Sequence, residues 1–141
     1  MPWNPVGGGA IQTVTVTLTS AQVLALHTTP VTVVQAPGAG LAIVPVSAMF
    51  NYQFGGTAYT DGGGNITLAG NGTGNYASFA SAGFWDQGSS KVKPFTALTN
   101  PAVVSLAAVE SAIQVGQNTA NPTLGNGLLA VTVAYYVVAV S

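Results

Sequence analysis

Three features of the sequence predict an all-β fold. Residues 11–20 (IQTVTVTLTS) alternate apolar and polar side chains with a period of two. Gly, Pro and Asn clusters interrupt the chain at short intervals, and scarcely any stretch has helical periodicity. The predicted architecture is a single-domain β-sandwich or barrel, jelly-roll-like, over 11–141, preceded by an extended arm at 1–10 and including one short helical turn. A chain of 141 residues is long enough to bury a core of its own.

The elements follow in order. Residues 1–10 carry Pro2, Pro5 and the run Gly7-Gly8-Gly9, which disfavour any regular element. Trp3 is an apolar anchor near the tip of this arm, which is either a loose tail or a clasp on a neighbouring subunit. The first strand, 11–19, puts Val14, Val16 and Leu18 on one face and Thr13, Thr15, Thr17 and Thr19 on the other. Ser20 is placed as the N-cap of a helical turn, AQVLAL, that Thr29-Pro30 terminates. VTVV at 31–34 is a strand, and APGAG at 36–40 is a turn whose glycines accept positive φ. LAIVPVSAMFNYQF is a long strand in which Pro45 requires an edge or a bulge.

Short strands are expected near 57–60 and 65–69 within a glycine-rich middle. FASAGFWDQ reads as a short helix or a bent strand. VVSLAAV at 103–109 and AIQV at 112–115 read as strands, although the alanines admit a helix. QNTANPTLGNG at 117–127 is a loop. The final strand, 128–140, is apolar on both faces and so is expected to be central and covered on both sides.

Charge is the unusual feature. Two basic and three acidic residues make five charged side chains, where an ordinary domain of this length has roughly 35. Arginine is absent. Without a basic stripe to neutralise phosphates, nucleic acid is not an expected partner, and the same scarcity argues against a membrane surface. The longest apolar stretch, 128–140, is shorter than the ~20 residues of a spanning helix. The amino terminus lacks a basic residue and an apolar segment, so production in a cytoplasm is expected. A net charge of −1 supplies little repulsion between copies. Such a surface is expected to be covered by other subunits.

Few groups suit catalysis. His27 is the sole histidine and is assigned a structural role beside the helical turn. Asp61, Asp86 and Glu110 lie in three separate segments, and no GxSxG elbow accompanies the serines. Without cysteine, and with one histidine, a single chain has no zinc site. TDGGGN at 60–65 has the glycines of a calcium turn but one carboxylate, and is read as a plain turn. No catalytic residue, metal or cofactor is therefore expected. The threonine ladder is matched by ordinary β-propensity and reads as a contact surface, polar in solution and cheap to desolvate. The aromatics Tyr52, Phe54, Tyr59, Tyr76, Phe79, Phe84 and Trp85 are either core or a sugar-contacting tip.

TSAQVLALHTTPVTVVQAPGAG (19–40), followed by an apolar strand, and GNGLLAVTVAYYVV (125–138) resemble segments of small β-rich structural proteins of tailed bacteriophages. These are similar in kind to capsid decoration, or cement, proteins. The resemblance covers those segments and leaves the middle unmatched. It implies a virion protein, assembled in the host cytoplasm as a homotrimer, that binds the major capsid protein on the outside of the head and reinforces it. Trp3 and Pro5 of the arm and Thr13, Thr15 and Thr17 of the ladder are the candidate contact residues. The alternative is a receptor- or glycan-binding module of a tail fibre or head fibre that uses the aromatics between 52 and 86.

Overall fold

The computed structural model describes residues 10–70, 75–96, 98 and 110–140. Trp3, Pro5 and the strand expected at 103–109 lie outside them. The elements are β1 (Gln12–Leu18), α1 (Ser20–Val23), β2 (Val31–Val34), β3 (Leu41–Gln53), β4 (Tyr59–Thr60), β5 (Asn65–Gly70), β6 (Asn75–Ala80), β7 (Lys91–Phe95), β8 (Ile113–Gln117), β9 (Thr123–Leu124) and β10 (Leu128–Ala139).

Apart from the short β4–β9 pair, the strands form two four-stranded antiparallel sheets, β1-β10-β3-β7 and β2-β8-β5-β6. The pairing is nested. β1 meets β10, β2 meets β8, β3 meets β7, and β5 meets β6. A ribbon folded at the β5–β6 hairpin and rolled once produces this order. The roll adds the β10–β3 and β5–β8 ladders that complete each sheet. This is a jelly-roll sandwich. It resolves the choice between sandwich and barrel in favour of two stacked sheets.

Local chemistry accounts for the details. The N-cap of α1 is Thr19 rather than Ser20: its Oγ1 accepts from the Gln22 N–H at 3.3 Å, and Gln22 Oε1 accepts from the Thr19 N–H at 2.9 Å. This reciprocal capping box satisfies two donors at once. Gly38 and Gly40 take φ of 104° and 72° in the turn before β3. Pro45 sits at a bulge, since Tyr135 faces Pro45 while Ala134 faces Ser47, leaving Val46 as the extra residue. β7 pairs with Ala48–Tyr52 of β3, and past it the Leu98 N–H donates to the Val46 carbonyl at 3.1 Å. FASAGFWDQ is neither of the expected forms: it finishes β6 and continues as turns.

The core lies between the sheets. Val14, Val16 and Leu18 of β1 face Val133, Val131 and Leu129 of β10, and Phe50 and Tyr52 of β3 continue the layer. Ile66 and Leu68 of β5 and Ile113 and Val115 of β8 oppose them. At one end Trp85, fully buried, meets Tyr52, Tyr59 and Phe84 with ring centroids 5.5, 5.4 and 5.1 Å away. Its Nε1–H donates to Gln117 Oε1 at 2.8 Å. The Tyr59 hydroxyl donates to the Gly127 carbonyl at 2.6 Å. The GNG turn before β10 lies flat on these rings, which explains its glycines. A Cβ at Gly125, whose φ is 76°, would enter the Tyr59 ring, and one at Gly127 would enter that of Tyr52.

Two predictions follow from this cluster. Trp85→Ala removes a filled indole and its buried bond, so chemical denaturation should show a loss of roughly 3–5 kcal/mol. Burial, and then the neighbouring Tyr52, push the Tyr59 hydroxyl from 10.0 to about 12. The folded state therefore keeps this proton where the unfolded chain loses it. Stability from this group is intact below pH 10.0 and is lost as pH rises towards about 12. Denaturant midpoints across that window should fall, and fall less steeply in Tyr59→Phe.

Candidate subunit-contact face

The parity that sends Val14, Val16 and Leu18 inward sends Thr13, Thr15 and Thr17 outward, away from the second sheet. Register extends this outer face across the sheet in rows. Thr17 stands beside Ala130, Asn51 and Val92; Thr15 beside Thr132, Met49 and Pro94; Thr13 beside Ala134 and Ser47. Thr15 Oγ1 and Thr132 Oγ1 are 2.8 Å apart and hydrogen-bonded. The threonine ladder goes no further, because Ala130 and Ala134 flank Thr132. A shallow depression of about 330 Å³ lies over Thr13, Met49, Pro94 and Thr132.

Among the described residues nothing packs on this face. The expectation that β10 is covered on both sides is therefore corrected: Leu129, Val131 and Val133 are buried, but Leu128 is exposed and Ala130, Thr132 and Ala134 are only half-buried. β10 is central within its sheet, and its second apolar face opens outward. Five large apolar residues are exposed among the described residues, and four of them belong here. Met49, Val92 and Leu128 lie on the face at 44%, 55% and 38% exposure, and Ile11 precedes β1 in step with Thr13 at 61%. The fifth, Leu124, lies on β9.

All five charged side chains lie elsewhere. Lys91 and Lys93 on β7 face Tyr52 and Phe50 across the ladder, so they project at the rim of the inner side, with Lys93 Nζ 5.6 Å from the Phe95 ring centre. Asp61, Asp86 and Glu110 occupy loops. Alternation within an edge strand thus separates cations from an apolar surface one residue away.

Several polar groups away from this face are engaged in holding the fold. Asp61 accepts from the Gly63 N–H and from the buried Ser81 hydroxyl, which holds the TDGGGN turn closed against β6. The Gln117 side chain links Trp85 to the Gly63 carbonyl. His27 Nδ1 is 2.8 Å from the Gln117 carbonyl, and the backbone N–H of His27 donates to Asn121 Oδ1 at 2.7 Å, so the residue fastens the helical turn to β8 and the following loop. Glu110 accepts from the Gly40 N–H at 2.9 Å. The Gln87 amide and the Gly83 N–H hold the Asp86 carboxyl below the usual carboxylate range. Among the described residues no group of three His, Cys, Asp or Glu side chains gathers. No helix among them is long and apolar enough to cross a membrane.

The aromatics between 52 and 86 are placed inside. Tyr52, Tyr59, Tyr76, Phe84 and Trp85 are buried, and Phe54 and Phe79 are half-buried against the same core. Of the candidate contact residues, Thr13, Thr15 and Thr17 come together on the open face. Sequence reasoning missed Met49, Val92 and Leu128. The signal was present in the second apolar face of β10, and only the register reveals that it looks outward. The chain matches no protein-family model, no curated protein and no solved structure.

Met49 and Val92 contribute nothing to the inner core. Met49→Lys and Val92→Lys should therefore leave the stability of the isolated protein, measured by chemical denaturation, unchanged to within about 0.5 kcal/mol. Phe50→Lys, one residue away but inward, should prevent folding.

Proposed function

We propose that this protein is a non-enzymatic structural component of a tailed-phage virion, a decoration protein that binds the outside of the head and stabilises it through the outer face of the β1-β10-β3-β7 sheet. The observation that carries the reading is the concentration of exposed apolar side chains on one uncharged sheet surface. Exposed apolar patches of this kind mark association sites. The absence of ions there lowers the cost of desolvation, because an unpaired charge buried at an interface is strongly unfavourable. Two sequence segments that resemble phage structural proteins supply the nature of the partner. The jelly roll is compatible with the reading but does not select it, since this architecture serves unrelated functions.

The mechanism is linkage. A protein that binds the assembled shell and not its separated subunits stabilises the shell by RT ln(1 + [L]/Kd), about 2.7 kcal/mol at a hundredfold excess over Kd. The glycan-binding alternative is less well supported, because most of the aromatic surface it needs packs into the core.

Co-sedimentation with undecorated heads tests the reading. Wild-type protein should pellet with heads, and its binding should change little from low to high salt, since no ion pair is screened. Met49→Lys and Val92→Lys should each weaken binding at least tenfold. Wild-type protein that ignores heads, or lysine variants that bind as well as wild type, would overturn it.

A further inference from the structure

The two edges of the β1-β10-β3-β7 sheet are built differently. β7 carries Lys91, Lys93 and Pro94, the residues that natural sheets use to prevent edge pairing. β1 carries none of these. It is seven residues long and uncharged, contains no proline, and keeps unbroken register with β10. Among the described residues no strand lies on its other side. Alternate backbone N–H and C=O groups of an edge strand point away from the sheet and form a template for a further strand.

The sequence of β1 indicates which strand fits. Residues 13–17 read TVTVT, the same in both directions. Two copies of β1 laid antiparallel about a two-fold axis at Thr15 bring Thr15 against Thr15, Val14 against Val16 and Thr13 against Thr17. Threonine then meets threonine on the outer face and valine meets valine on the inner face. β-Branched residues in such cross-strand pairs stabilise antiparallel pairing. Identical surfaces that complement themselves are the requirement of a two-fold interface.

We infer that two copies of this protein pair through β1 about a two-fold axis at Thr15, joining their sheets into one eight-stranded sheet with a continuous uncharged outer face. This rests on the proposed assembly role and makes the contact face twice as wide. It also sets a two-fold against the three-fold order that the phage resemblance implies.

The cysteine-free chain permits a clean test by single-cysteine cross-linking. Thr15→Cys places two thiols across the axis, within reach of a disulfide. In Thr13→Cys or Thr17→Cys the equivalent thiols are four residues out of step, roughly 13 Å apart at about 3.3 Å per residue. Under mild oxidation of the full chain, Thr15→Cys should yield a covalent dimer, the other two alone should yield little, and an equimolar mixture of Thr13→Cys and Thr17→Cys should cross-link. Light scattering should show a dimer for the wild type and a monomer for Thr15→Pro, with circular dichroism reporting that each variant is folded. A wild-type monomer or trimer, or a dimer in which Thr15→Cys cross-links no better than Thr13→Cys, would overturn the pairing. Head binding measured on the same samples separates the two ideas: binding by a monomer or trimer would leave the decoration role standing.

Discussion

The antiparallel ladder between β3 and β10 is the element on which the rest depends. All 12 residues of β10 have a partner on β3, and β1 is attached to the other side of β10 in unbroken register. Parity within this ladder decides everything above and below it. Leu129, Val131, Val133, Phe50 and Tyr52 are committed to the core, so Leu128, Ala130, Thr132, Ala134, Met49 and Asn51 are committed to the outside. A slip of one residue would exchange the two sets. The Pro45 bulge absorbs one residue above Ser47, and the GNG turn anchors the lower end on the rings of Tyr52 and Tyr59.

The second constraint is electrostatic. A surface without ions has little to keep it dispersed, and this molecule places its few charges at a rim and in loops and leaves one sheet face without any. Its polar atoms are hydroxyls and amides, whose desolvation is far less costly than that of an ion. Threonine suits this role because its methyl group is apolar, its hydroxyl pairs across strands as Thr15 does with Thr132, and its branched carbon favours the strand. In the proposed role, the same choice makes attachment indifferent to ionic strength.

Much of the fold was legible in the sequence because alternation is a local signal. β1, β2, β3 and β10 fall where period-two patterning and turn residues place them. β6 and β7 were not legible: NYASFA mixes small and polar residues, and KVKPF has lysines and a proline that resemble a loop. Neither segment has the run of alternating β-branched residues that marks β1. Half of the outer face was legible as the threonine ladder. The other half was hidden because an outward apolar face and a covered one look identical along a single strand. Only the positions of Met49 on β3 and Val92 on β7 beside it show which it is. The aromatics between 52 and 86 were open to two readings for a similar reason, and burial assigns them to the core.

The claim at the centre is that the outer face is covered when the protein is at work. Oxidative footprinting at Met49 measures this directly. Peroxide should oxidise Met49 readily in the dilute isolated protein, where it is 44% exposed, and far more slowly on decorated heads. Equal oxidation rates at Met49 in the free and head-bound protein would contradict the account.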